Sequence, residues 1–214
     1  MLSDYAAIKN GSYGKLMKAY YAKQDAEKLS GKGDTSQKLT LMKTSADSLK
    51  KSADALNDSS LWEKKKIKKK DEKTGEEIEA EDYDWDKITK AVKSFVEDYN
   101  DVVKEAGESN TKDVLRNASW MTGMTDKNSN MLAKIGITIG KGNKLELDED
   151  ALKQADISSL KTVFTGYNSF VSKISQKATG ISNAANRASA TYTNNGTYSK
   201  TDSSLTSSKI DKEV

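Results

Sequence analysis

The stretch ISSLKTVFTGYNSFVSKISQKATGISNAANRA, residues 157–188, decides how the chain is read. Ile157, Leu160, Phe164, Tyr167, Val171, Ile174, Ala178, Ile181, Ala185 and Ala188 recur in alternating steps of three and four. That spacing gathers apolar side chains on one face of a helix. It predicts a single helix of about 48 Å at a rise of about 1.5 Å per residue, with no proline and with Gly180 as its one weak point. Such a helix needs partners along its length. Val163 and Phe170 widen the stripe in the first half, which suits a bundle better than a bare two-stranded coil. From Ala178 onward the seam is mostly alanine, which permits close helix approach but buries little area per residue. This half is expected to find fewer partners inside the chain, which makes Ala178, Ile181, Ala185 and Ala188 candidate partner-binding residues.

Two further seams lie upstream. Leu39, Met42, Ala46, Leu49, Ala53 and Leu56 form one, opened by Asp34 or Thr35. Trp85, Ile88, Val92, Phe95, Tyr99, Val102 and Ala106 form the other, widened by Val96 and Val103, with Gly107 expected to stop the helix. A fourth, less regular helix is predicted from about Lys112 to Lys134. Its methionines suit adaptable core filling, with a target groove as the alternative. The period then changes to two in Ile135–Ile139 and Lys144–Leu147, around Gly140-Lys141-Gly142-Asn143, which predicts a β-hairpin at 135–147 over one end of the bundle. Asp148 should cap a short helix from Glu149 to about Ala155. The Asp148-Glu149-Asp150 cluster lacks the alternating oxygen ligands of a calcium loop, so no metal is assigned to it.

Residues 61–85 segregate charge. Lys64, Lys65, Lys66, Lys68, Lys69 and Lys70 surround Ile67, and an acidic arm of Glu76, Glu77, Glu79, Glu81, Asp82, Asp84 and Asp86 follows Gly75. The pattern predicts a second hairpin with opposite charges facing across the strands. The adjacent acidic arm neutralises the lysines, and no arginine or aromatic readers accompany them, which argues against nucleic acid.

The ends differ from the middle. Residues 1–33 are tyrosine-rich, with a short helix expected from about Tyr13 to Leu29 that either docks on the bundle or binds a partner. Residues 191–214 are Ser, Thr, Asn and Lys with few apolar residues, and a disordered tail is expected there. Across all 214 residues the apolar share is 35% against 31% charged, a balance that favours thin helical cores with much solvated surface. There is no Cys and no His, which removes thiol nucleophiles, imidazole bases and the usual zinc ligands. No catalytic residue, cofactor or small-molecule substrate is therefore assigned. Glu146 and Asp148 are better read as strand exposure and helix capping than as an acid/base pair. Neither a transmembrane run nor a signal peptide is recognisable, so the chain is read as cytoplasmic or as exported without a cleaved signal.

Four motifs then stand in order: Phe95-Val96-Glu97-Asp98-Tyr99-Asn100, Leu132-Ala133-Lys134-Ile135-Gly136-Ile137, Leu145-Glu146-Leu147-Asp148-Glu149-Asp150-Ala151-Leu152, and Val163-Phe164-Thr165-Gly166. Together, and ahead of a heptad helix, they resemble the C-terminal region of the bacterial flagellar filament-capping protein family, hook-associated protein 2, over about residues 85–190. The resemblance marks Phe95, Tyr99, Asn100, Ile135, Gly136, Leu147, Asp148 and Phe164 as family-motif residues. It implies an exported, extracellular component of the bacterial flagellum whose helices form coiled-coil contacts with itself or with flagellin. The family's large central β-rich domains have no counterpart here, and only the charged 61–85 segment occupies a comparable place.

The expectation is thus a mainly α, elongated helical bundle at 34–190 with two small β-hairpins. Its expected function is that of a non-catalytic structural or assembly subunit, a reduced relative of the filament-capping proteins. The alternative is a cytoplasmic helical interaction module or scaffold.

Overall fold

A computed structural model describes residues 33–70 and 77–190. The helix expected at Tyr13–Leu29 and the tail beyond residue 190 lie outside the described residues. The architecture is mainly α with two small antiparallel hairpins, as the periodicity predicts. Seven helices are described: α1 (Ser36–Asn57), α2 (Trp85–Glu108), α3 (Lys112–Lys127), α4 (Ser129–Ala133), α5 (Glu149–Gln154), α6 (Ile157–Phe164) and α7 (Phe170–Ser189).

Helices α1, α2, α3 and α7 form an up-down four-helix bundle, each antiparallel to its neighbours. The cross-links fix those directions. Asp34, just before α1, bonds Ser109 and Thr111 after α2, and farther along α1 Asp98 of α2 takes a hydrogen bond from Ser52. Tyr99 of α2 meets Thr125 of α3, and Arg187 of α7 meets Asp113 at the start of α3. Helix α1 begins with a Thr35 side-chain cap on Lys38 N–H and buries Leu39, Met42, Ala46, Leu49, Ala53 and Leu56, every member of its predicted seam. The α2 seam from Ile88 to Ala106 is likewise buried. Trp85 at its start is only partly covered. At about 1.5–3 kcal/mol for each fully buried large aliphatic or aromatic side chain, these seams supply the main driving force for association of the helices.

The long helix expected from Ile157 to Ala188 is two helices. Thr165 leaves α6 in an extended conformation, Gly166 adopts φ 97°, and the Ser169 side chain caps α7 at Ser172 N–H. A left-handed backbone at Gly166 and a fresh N-cap three residues later form a stop followed by a start. Tyr167, which the seam placed inside, is 83% exposed as a result. The folded-back α6 puts Phe164 on Trp62, with the rings stacked at 5.5 Å. Trp62 sits in a 3-10 turn and donates through Nε1 to the Leu56 carbonyl at 2.8 Å.

Two other expectations shift. The helix predicted at Lys112–Lys134 divides at Asn128 into α3 and α4, where the Asn128 side chain folds back onto the Met124 carbonyl. Gly107 does not stop α2, which runs to Glu108 and ends at Ser109.

The charged hairpin pairs β1 (Lys65–Lys70) with β2 (Glu77–Asp82), Lys66 facing Glu81 and Lys68 facing Glu79. It leaves the bundle between α1 and α2, at the end opposite Gly33 and Ala190. The second hairpin pairs β3 (Ile137–Ile139) with β4 (Leu145–Leu147). It lies on the flank of α2 at Asn100 rather than across the end of the bundle.

Candidate functional site

The family-motif residues each tie one element to another, those of α2 reaching α7, α3 and the β3–β4 hairpin, Gly136 meeting Asp148 and the start of α5, and Phe164 of α6 meeting the 3-10 turn at Trp62. Phe95 is fully buried and packs edge-on against Phe170 at the start of α7, centroids 6.3 Å apart. One turn on, Tyr99 is fully buried and donates its hydroxyl to Thr125 Oγ1 at 2.9 Å. Burial pushes the Tyr99 phenol above its ordinary pKa despite that bond, so it stays neutral. Asn100 bonds both backbone groups of Leu145.

Ile135 is fully buried, and Gly136 turns the chain at φ 78°. A Cβ at Gly136 would lie 2.6 Å from the Asp148 carbonyl oxygen and 2.9 Å from Leu152 N. The Gly136 carbonyl in turn accepts from Asp148 N–H at 2.8 Å. The Asp148 carboxylate accepts from Asp150 and Ala151 N–H, the capping role expected of it. Leu147 packs partly buried against the core, and Phe164 stacks on Trp62. These side chains position elements. They leave little surface for a ligand.

The four residues expected at a partner contact face inward as well. Ala178, Ile181 and Ala185 are 0% exposed, packed into the chain's own core, and Ala188 is partly buried against it. The alanine half of α7 does find partners in the chain, namely α1 and α3. Small residues on both helices, Ala46 and Ala53 with Ala178 and Ala185, let α1 and α7 approach closely. Polar pairs repeat along that contact. Asp54 accepts from Ser175 Oγ at 2.7 Å, and seven residues away on each helix Asp47 accepts from Ser182. Burial pushes both carboxyls up, but the serine hydroxyls and Lys43 or Lys50 outweigh it and hold them below the ordinary carboxylate range. Seven-residue spacing of Asp on one helix and Ser on the other was the available signal for this ladder, and counting apolar positions alone passes over it.

Other features also escape apolar counting. Asp34 has a side chain only 1% exposed and ties the loop between α2 and α3. It accepts from Ser109 Oγ at 2.6 Å, Asn110 N–H at 2.9 Å, Thr111 N–H at 3.0 Å and Thr111 Oγ1 at 2.7 Å. Trp120 is 58% exposed on α3, with Lys177 Nζ 4.8 Å above its ring. At the base of the charged hairpin, Lys64 and Lys161 each place Nζ 5.8 Å from the Tyr83 ring. Among the described residues no carboxylate cluster is arranged to hold a metal ion, and no helix is long and apolar enough to cross a membrane.

Residues 109–213 match the family model described as "Flagellar hook-associated protein 2 C-terminus". The resemblance read from the motifs is thus found over the second half of the chain, beginning just beyond Phe95, Tyr99 and Asn100. No curated protein and no solved structure matches the chain.

Proposed function

We propose, for a chain whose residues 109–213 match the C-terminal region of flagellar hook-associated protein 2, that it is a non-catalytic structural subunit of the bacterial flagellum. The match carries the reading. The geometry supports it, since the motif residues tie elements together, Asn100 the β3–β4 hairpin to α2 and Phe164 the helix α6 to the 3-10 turn at Trp62. The subunit is a reduced relative of the filament-capping proteins. It acts outside the cell through helical contacts with flagellin or with copies of itself. Of the four residues proposed at a partner contact, Ala188 keeps some surface, at the end of the bundle where Arg187 and Ala190 lie.

Mixing the purified full chain with flagellin and growing filaments tests this. The expected result is retention of the chain on filaments, with immunogold label concentrated at filament ends. A chain that binds neither flagellin, nor filament ends, nor itself overturns the reading.

A further inference from the structure

The edge of the bundle where α1 meets α2 carries charge mainly of one sign. Asp98, Asp101, Glu105 and Glu108 recur on α2 in steps of three and four, which puts them along one side of that helix. Ser52 bonds Asp98 across the contact, and farther along α2 Lys38 Nζ donates to the Glu108 carbonyl, so the carboxylates run beside α1 from Ser52 back to Lys38. Between those two points this side of α1 offers Leu41, Ser45 and Ser48, none of them basic. Lys38 is engaged by Asp34 at 3.5 Å, Lys104 meets Glu105 at 3.9 Å, and Lys87 and Lys90 lie beyond Asp98 toward the other end of α2. Burial, with the Asp101 and Glu97 charges, pushes the Asp98 carboxyl up despite the bond from Ser52. The α1–α7 edge differs, because there Lys43 pairs with Asp47 and Lys50 with Asp54 on α1 itself. Leu41, on the acidic edge, is 50% exposed.

We propose that residues 1–32 of this chain dock on that edge, with Tyr13–Leu29 along the α1–α2 groove and antiparallel to α1. Charge selects this occupant, since the segment carries Lys9, Lys15, Lys18, Lys23, Lys28 and Lys32 against Asp4, Asp25 and Glu27. Position selects it too. The segment ends at Gly33, beside the last carboxylate of the edge, because Asp34 is tied to Ser109 and Thr111 directly after Glu108. The glycines at 31 and 33 suit a reversal of the chain there. The lengths agree as well: a helix from Tyr13 to Leu29 spans about 25 Å, and Asp98 to Glu108 about 15 Å, at about 1.5 Å per residue. Counted back from Gly33, Lys28, Lys23 and Lys18 fall in turn along Glu108, Glu105 and Asp98. At helical spacing Tyr13, Leu16, Met17, Tyr20 and Tyr21 share a face. Tyrosine fits an edge of this kind, its ring covering Leu41 and its hydroxyl staying at the wet, acidic rim.

The docking is a contact within one chain and does not depend on the flagellar reading. Two measurements on the full chain test it. Carbodiimide joins an amine to a carboxylate already beside it, and mass spectrometry of a mixture of isotopically light and heavy chains separates bonds within a chain from bonds between chains. The expected bonds join Lys18, Lys23 or Lys28 to Asp101, Glu105 or Glu108 within one chain. Amide hydrogen exchange gives the second readout. Residues 13–29 are expected to be protected in the parent and to exchange at least tenfold faster in K18E/K23E/K28E and in D101K/E108K, while the chain carrying both sets, with the charges exchanged, recovers the protection. Exchange of the α2 and α7 amides equal to the parent's shows that the bundle of each variant is folded, and the coupling in the parent needs no variant. Bonds found only between chains, bonds to Asp47 and Asp54 as abundant as those to Asp101 and Glu108, or exchange at residues 13–29 that charge reversal leaves unchanged or that the combined chain fails to restore overturns the proposal.

Discussion

Asn100 serves Leu145 as a neighbouring strand would. Its Nδ2 donates to the Leu145 carbonyl at 2.9 Å, and its Oδ1 accepts from Leu145 N–H at 2.7 Å. A helix side chain thereby satisfies the outer backbone groups of a three-residue strand, and this docks the β3–β4 hairpin on α2. Asn100→Ala leaves both groups of a buried residue without their partner, at roughly 1–3 kcal/mol for the pair of bonds. Asn100→Asp keeps the acceptor and loses the donor, so it should cost less than the alanine variant only if the Leu145 carbonyl finds water. Urea unfolding measures the loss, and hydrogen exchange should show Leu145 N–H deprotected by Asn100→Ala. Unchanged exchange there would refute the docking role.

Gly136 and Gly142 both have positive φ, 78° and 72°, but their surroundings differ. A Cβ at Gly142 meets nothing within 4 Å, whereas one at Gly136 runs into the backbone of Asp148 and Leu152. Gly142→Ala should cost only the left-handed strain, about 1–2 kcal/mol. Gly136→Ala adds a clash that no side-chain movement relieves, so it should exceed that value and lower the thermal midpoint further. Equal midpoints for the two variants would show that the turn at Gly136 shifts freely.

How far the sequence was legible depends on the kind of signal. The α1 seam was read residue for residue because every third or fourth position is apolar and the residues between, Leu41 and Ala55 apart, are Ser, Lys, Thr and Asp. The break after α6 was missed because Tyr167 happens to keep the heptad count, although Thr165-Gly166-Tyr167-Asn168-Ser169 carries a glycine stop and a serine start. Local backbone chemistry overrode the period. The partner of Asn100 was not legible, since Asn100 and Leu145 are 45 positions apart and their bond leaves no local pattern. The inward facing of Ala178, Ile181 and Ala185 was hidden for the same reason. Which surface covers an alanine seam depends on the other helices.

Asp34 should make the stability of the bundle depend on pH. Burial pushes its carboxyl up, but bonds from Ser109, Asn110 and Thr111 and the nearby Lys38 outweigh it and hold the pKa below its ordinary 3.8. A carboxyl lowered on folding contributes stability that is present above the unfolded value and lost as pH falls through the folded one. Asp34→Asn should therefore be less stable than the parent at pH 7 by about 1–3 kcal/mol, since the Asn110 and Thr111 amides lose a charged acceptor. The gap should narrow as pH drops below 3.8. Urea midpoints for both chains across that range measure it. A gap independent of pH would assign the effect to shape and not to charge.

Gly180 was the expected weak point of the seam, yet it faces Asn117 of α3 at close range. A Cβ there would lie 2.6 Å from Asn117 Oδ1 and 3.0 Å from its Cγ. Asn117 is held in place by donating Nδ2 to the Asp113 carbonyl at 2.8 Å. In an isolated helix Gly→Ala gains about 1 kcal/mol. In this bundle, moving Asn117 aside forfeits a hydrogen bond worth about 0.5–1.5 kcal/mol. Gly180→Ala alone should therefore leave the urea midpoint nearly unchanged, or lower it slightly. Asn117→Ala removes the obstructing group, and on that background Gly180→Ala should give its full gain, the double variant being more stable than Asn117→Ala alone by about 1 kcal/mol. The coupling is the decisive quantity, because neither substitution alone distinguishes helix propensity from packing. Strict additivity, with Gly180→Ala alone giving the full propensity gain, would mean that α3 does not press on α7 at this position.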